Sequence, residues 1–345
     1  MCDEKAKRFG YRSEKRRYRC LSCNHVFFRH LHQVTTWEDF YAFNRYIRGY
    51  WNRDAAKEAC SFSDRTIFTR FTKFLDHPLT SEDIWKILPP KTLATNIPWV
   101  YGCDGKWLGR IGVFFIHRNV TTKENLYWSF MKSESYEVVS KDCSILITLL
   151  ENHLPVGAVS DWKGSIVSSV ASFFGNIPHQ RCLAHIDRDA KRLLPLYSPY
   201  EATQELRRIA SLLLLVEKPT DVPVWQAYFV RWEKQYGQML TEKTIAPQEE
   251  TRSWWYTHRN LRRAWRLLTH DIDPLFVFLI NPLIPKTNNA LEGVNSNLKQ
   301  KLGNHRGMSI TRQTAFLSWY MAFTRSKSEQ DLKKLWAYWK SKFSR

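Results

Sequence analysis

The hydrophobic and polar positions of this chain change their spacing several times, and each change marks an element or a boundary. From Thr36 to Leu75 the spacing is helical. Trp37, Phe40, Tyr41, Phe43, Tyr46, Ile47 and Tyr50 make one apolar stripe, and RDAAKEACSFSDRTIFTRFTKFL then reads as helix, tight turn, helix. Ala55, Ala56 and Ala59 allow close helix packing, and Ser63 is placed to N-cap a second helix carrying Arg65, Thr66, Thr69, Arg70 and Lys73. His77 to Pro98 holds four of the fourteen prolines and reads as a linker with a short helix around Ile84 to Leu88. The pattern then turns to strands: Trp99 to Trp107, Ile111 to Arg118 and Asn125 to Ser133, separated by turn residues as in an antiparallel meander. Lys141 to His153 supplies a crossover helix. Val156 to Val159 is a continuous apolar run, the mark of a buried parallel strand, and it ends in Ser160 and Asp161.

Ser165 to Phe174 follow with helical spacing, Asn176 to Arg181 make another short strand, and Cys182, Leu183, Ala184 and His185 open a further helix. Ile186 to Lys286 breaks this rhythm with helical, Trp-rich sequence (Trp225, Trp232, Trp254, Trp255, Trp265) and reads as an all-helical insertion. Thr287 to Asn289 then give an N-cap signal for a helix running to about Leu302. Leu291, Val294, Leu298 and Leu302 form its buried face, and Glu292, Asn295 or Ser296, and Lys299 form a second, polar one. Three meander strands, a helix, a strand, a helix and a strand amount to an α/β sheet of mixed direction.

Composition narrows the partner. The 345 residues suffice for two or three domains with a substantial core. The formal charge of +19 and isoelectric point of about 9.7 exceed what solubility needs and imply a polyanion. Basic residues interleaved with Tyr, Trp and His favour nucleic acid, and with no 18-residue apolar run a membrane is not expected. Seven cysteines without an export signal argue for reduced thiols in a cytosolic compartment. At the amino terminus Cys20 and Cys23 form a CxxC knuckle, and Cys2 lies one hairpin upstream, so three thiolates can converge on Zn²⁺. A full site needs a fourth ligand: either His25 or His30 supplies it, or an upstream Cys is lost, or the knuckle is metal-free and the hairpin with Arg16, Arg17 and Arg19 serves as a basic face for phosphates. The helices to Leu75 fit either a helix-turn-helix, with Arg65, Arg70 and Lys73 toward a major groove, or an ordinary helical hairpin.

Asp104, Asp161 and Glu292 are presented by three elements that such a sheet brings together. Each alone has a plainer reading, a hairpin turn residue for Asp104 and an N-cap for Asp161. Together, oxygen donors of this kind suit two Mg²⁺ or Mn²⁺ ions about 3.5–4 Å apart, the arrangement that phosphodiester cleavage uses. Cys182 and His185 are too few and too soft for such ions and read as packing beside the site. Lys299, Lys301, His305 and Arg306 are phosphate-contact candidates, and Trp254 and Trp255 either stack on an unpaired base or belong to a helical core.

The order YGCDGKW, AVSDWKGSI, QRCLAHIDRDAKR and TNNALEGVNSNLKQKL resembles the DDE transposases of bacterial insertion sequences and their Mutator-like relatives. The resemblance implies a ribonuclease-H-like core over 97–185 and 287–345, split by an insertion over 186–286. Ahead of it would stand a truncated zinc-ribbon-like segment (1–32), a helix-turn-helix (33–76) and a linker (77–96). It implies that Asp104, Asp161 and Glu292 bind the catalytic Mg²⁺ or Mn²⁺, with Cys182, His185, Asn295 and Lys299 in support. Terminal inverted repeats and target DNA would be the partners, a homodimer the synaptic form, and the cytoplasmic nucleoid the location. The alternative is a non-catalytic, sequence-specific DNA-binding protein built on the same parts.

Overall fold

The computed structural model describes residues 5–12, 15–28, 35–60, 63–245, 253–303 and 307–343, and the chain divides into two compact units. The smaller comprises residues up to 46 together with 50–72. Its sheet is antiparallel, with β1 (Ala6–Arg12), β2 (Lys15–Cys20) and β3 (Val26–Phe28) in sequence order. Across it Arg19 lies over the Phe9 ring at 4.3 Å and Arg17 at 5.5 Å, while Arg16 Nε donates to Tyr11 Oη at 2.9 Å. These three arginines therefore stand on one stiffened hairpin.

The helices α1 (Trp37–Arg48), α2 (Arg53–Cys60) and α3 (Asp64–Asp76) follow the expected pattern. Ser63 caps α3, its Oγ accepting the Thr66 N–H at 3.2 Å. Phe43 and Phe71 meet edge to face at 5.4 Å. Of the residues expected on a DNA-facing helix, Arg65 is exposed and Lys73 half-buried. Arg70 departs from that expectation, since its guanidinium pairs with buried Asp39 of α1 and ties the two helices. A charge on Asp39 with almost no solvent contact needs such a partner. Cys2 lies outside the described residues, as do His30, His305 and Arg306. Among the described residues Cys20 and Cys23 gather no third metal ligand.

The larger unit, residues 47–49 and 73–345, is built on a five-stranded sheet. Its strands are β4 (Val100–Leu108), β5 (Gly112–Asn119), β6 (Glu124–Met131), β7 (Gly157–Ser160) and β8 (His179–Arg181), in the order β6-β5-β4-β7-β8. The meander β6-β5-β4 is antiparallel, and β7 and β8 add in parallel beside β4. The crossover helices α5 (Tyr136–Leu150) and α6 (Gly164–Phe174) cover one face, where Tyr101, Cys103, Val113 and Phe115 meet Val139, Leu146, Ile166 and Val170. Because side chains alternate along a strand, Gly102 and Asp104 point to the opposite face.

The helix α4 (Ser81–Ile87) stands where a linker is expected from the prolines. The segment 77–96 is not a free spacer. Thr80 and Asp83 form a reciprocal capping box, Ile84 and Trp85 are buried, and Ser81 Oγ accepts the Trp128 N–H of β6. The carboxy-terminal helices α13 (Ile310–Arg325) and α14 (Glu329–Phe343) complete this packing. Ser318 Oγ donates to the Leu79 carbonyl and Lys342 Nζ to Asp83 Oδ2 at 2.7 Å.

The insertion runs from α7 (Leu183–Leu193) through α8 (Glu201–Leu212), α9 (Asp221–Tyr236), α10 (Arg259–Thr269) and α11 (Val277–Ile280). It has its own core around Leu206, Trp225, Trp232 and Leu261. It is not all-helical: β9 (Lys243–Ile245) and β10 (Trp254–Tyr256) pair antiparallel, since a run of three aromatic residues suits a pleated surface better than a helix. Trp254 and Trp255 on this hairpin are 42% and 38% exposed, so they are not core, whereas Trp225 and Trp232 are. The chain then returns to the sheet as α12 (Asn289–Gly303), whose Leu291 and Leu298 are buried.

Candidate active site

The parallel pairing of β4 with β7 matches Tyr101 to Ala158 and Gly102 to Val159. Carried two residues further, that register sets Asp104 beside Asp161, which leaves the strand end just after Ser160. Adjacent strands lie roughly 4.8 Å apart, so the two carboxylates feel one another. Burial pushes the Asp104 carboxyl up, Asp161 adds to the rise, and the nearby His185 holds it back. After Asp161 the chain turns sharply, with Trp162 at φ 68, a left-handed conformation that a bulky side chain rarely adopts. The Trp162 ring packs edge-on against His179 at 4.9 Å, and His179 Nε2 meets Ser160 Oγ at 2.8 Å. Burial pushes the His179 pKa down to about 4 against the pull of Asp161, so the ring is neutral at pH 7.

Glu292 reaches the same place from α12. Asn295, one turn further along that helix, donates from Nδ2 to Asp104 Oδ2 at 2.8 Å. Asn288, the residue before the helix, is wholly buried. Its Nδ2 donates to the Cys103 carbonyl at 3.1 Å and its backbone N–H to Cys182 Sγ at 3.1 Å. It thus joins the strand of Asp104, the start of α7 and the helix of Glu292. Glycine makes the approach feasible, because a Cβ on Gly102 would lie 3.1 Å from Asn288 Oδ1 and 2.6 Å from Val120 Cγ2.

Each carboxylate has a cationic neighbour. Lys163 Nζ bridges Asp161 Oδ2 at 3.1 Å and Glu134 Oε2 at 2.6 Å; burial opposes its charge, but Asp161 and Glu134 outweigh that and raise its pKa. Arg188 Nη2 lies 2.7 Å from Glu292 Oε1, and His185 Nδ1 lies 3.6 Å from it. Burial works against a proton on His185, but Cys182, Asp104 and Asp161 together lift its pKa to about 9. Cys182 Sγ, a ring nitrogen of His185 and a carboxylate oxygen of Glu292 all lie within 4.8 Å of one another.

The donor set suits hard divalent cations. Asp104, Asp161 and Glu292 offer carboxylate oxygens, and Glu134 Oε1, Asn288 Oδ1 and Asn295 Oδ1 are buried acceptors without a hydrogen-bond partner. Lys163 and Arg188 balance the charge of Asp161 and Glu292, carboxylates that such cations would otherwise neutralise.

Glu134, Lys163, Lys106 and Arg188 were not singled out by pattern. Lys106 and Lys163 lie inside the motifs of the two aspartates and Arg188 inside the CxxH motif, so the sequence shows their positions but not their partners. Burial and the nearby Lys299 both lower the Lys106 pKa, placing two ammonium groups together on the approach to Asp104. Lys299 is exposed and Lys301 half-buried.

Residues 168–294, more than a third of the chain, match the family model described as Transposase IS66 family. The likeness is to an insertion-sequence transposase. The transposase match takes in most of α6, β8, Cys182, His185, the whole insertion and Glu292, and leaves out Asp104 and Asp161. No curated protein matches the chain. Among the described residues, no helix is long and apolar enough to cross a membrane.

Proposed function

We propose that the protein is a DDE transposase that cuts a phosphodiester at the ends of an insertion sequence and joins the freed 3′-OH to target DNA. The observation that carries this reading is the Asn295–Asp104 hydrogen bond, because it brings the helix of Glu292 onto the strand of Asp104 across an intervening hundred-residue insertion. The sheet order, three antiparallel strands followed by two parallel ones, supports a ribonuclease-H-like core. Asp104, Asp161 and Glu292 would hold two Mg²⁺ or Mn²⁺ ions. When bound, these would activate the attacking oxygen and stabilise the leaving one.

The protein's own residues supply positioning. Asn288 and Asn295 fix α12 against β4, His185 places a positive charge among the carboxylates, and Lys106 with Lys299 would meet the flanking phosphates. Water attacks phosphorus and the 3′ oxygen departs with a proton; that 3′-OH then attacks a phosphorus of target DNA and displaces its 3′ oxygen. The arginine-bearing hairpin and α3 would read the terminal repeats, with two copies pairing two ends at the nucleoid. Zinc at Cys2, Cys20 and Cys23 would stiffen the hairpin. Within this class, the Mutator-like placement rests on the CxxH and the motif order, while the family match names IS66.

One observation favours a second reading, binding without chemistry: Lys163 and Arg188 already neutralise Asp161 and Glu292. A gel-shift and a Mg²⁺ cleavage assay on an end-sequence duplex separate the two. Asp161→Ala is expected to abolish cleavage and keep end binding; cleavage undiminished in that variant would refute the assignment.

A further inference from the structure

The CxxH stands out because the proposed catalysis uses no sulfur ligand, yet its cysteine is wholly buried at the junction of β8 and α7. Its Sγ, at the start of α7, accepts the backbone N–H of Asn288 at 3.1 Å. His185 follows one turn later, and its Nδ1 is buried without a hydrogen-bond partner. Glu292 Oε1 lies 2.7 Å from Arg188 Nη2, an ion pair that a metal at this oxygen would displace. Three ligand atoms of three kinds thus face one another within 4.8 Å.

We propose that Cys182, His185 and Glu292 form an inhibitory site for a borderline-soft divalent cation of the Zn²⁺ class, which on binding withdraws Glu292 from the catalytic carboxylates. A tetrahedral ion with bonds of about 2.0–2.3 Å needs its ligand atoms to close by roughly 1 Å from their present spacing, within reach of the flexible Glu292 side chain. The fourth position is left to water, and binding releases the proton that His185 otherwise carries. The sulfur and imidazole disfavour Mg²⁺ and suit Zn²⁺. The two sets share one carboxylate, so occupancy of the soft set and of the complete hard set exclude each other. The inhibitory consequence rests on the transposase reading; the site itself does not.

The test is a Co²⁺ titration of the full chain, followed by thiolate-to-cobalt charge-transfer absorption in the near ultraviolet and by metal analysis after dialysis. The wild-type protein is expected to show the band and to lose it on adding Zn²⁺. Cys182→Ser should bind one metal fewer per chain, and its Mg²⁺-dependent cleavage, relative to its own zinc-free rate, should need ~10-fold or more Zn²⁺ for half inhibition. Because Cys182 is buried, His185→Gln serves as the second variant, with circular dichroism confirming the fold of both. Unchanged cobalt absorption and stoichiometry in both variants would overturn the proposal. A chain that binds Co²⁺ through Cys182 yet never cuts DNA removes the transposase reading and leaves the site; one that cuts but binds no metal there removes the site alone.

Discussion

Asn288 is the side chain whose loss should be felt furthest from its own position. It is fully buried, it donates to the Cys103 carbonyl at 3.1 Å, and its own backbone carbonyl accepts the N–H groups of Leu291 and Glu292. Asn288→Ala leaves the Cys103 carbonyl without that donor, which costs about 1–3 kcal/mol for a buried acceptor. Removing the unpartnered Asn288 Oδ1 at the same time offsets part of this. Asn288→Asp keeps the shape but sets an acceptor against a carbonyl, so it should be the worse of the two. Catalysis should suffer more than stability, because α12 carries Glu292 and a displacement of about 1 Å at a reacting centre can cost ~10²-fold in rate. Urea unfolding gives the first quantity, and single-turnover Mg²⁺-dependent nicking of an end duplex gives the second. Both variants within about 0.5 kcal/mol of the parent and nicking at the parental rate would refute the role given to this residue.

Asp83→Asn should destabilise the larger unit by about 2 kcal/mol, since it weakens the α4 capping box and the contacts with Tyr338 and Lys342. Burial alone would raise the Asp83 pKa, but Lys342, the Thr80 N–H and Tyr338 outweigh it and lower it. Its contribution is therefore complete above about pH 4 and disappears as pH falls through the folded-state value, so parent and variant should converge in acid denaturation profiles. Lys163→Met removes the ammonium that bridges Asp161 and Glu134, and should lower the Mg²⁺ concentration needed for half-maximal nicking; an increase would show that Lys163 assists the metal instead.

Much of this architecture is legible in the order of residues, because local period and strand burial are local facts. The continuous apolar run before Asp161 is a parallel strand, and the three strand-like segments with turn residues between them form the antiparallel meander that carries Asp104, as their patterns imply. The prolines of 77–96 suggest a linker where the chain is packed. Thr80 and Asp83 carry a readable capping signal, but the burial of Ile84 and Trp85 depends on α13 and α14 more than two hundred residues later. The β9–β10 hairpin was hidden by the helices around it, which set the apparent period of the whole insertion. Asn288 reads as a helix cap, and its real partners, Cys103 and Cys182, are 185 and 106 residues away. Glu134 has no local pattern at all; it is defined by Lys163 and by Gly105, where a Cβ would strike its carboxylate.

The claim that Asp161 ligates a catalytic cation is tested most directly by exchanging its oxygen for sulfur. Asp161→Cys should be inactive in the end-duplex nicking assay with Mg²⁺, which binds thiolate poorly, and should regain cleavage with the more thiophilic Mn²⁺. Full activity of the variant in Mg²⁺, or equal failure in both metals with the fold intact, would contradict it.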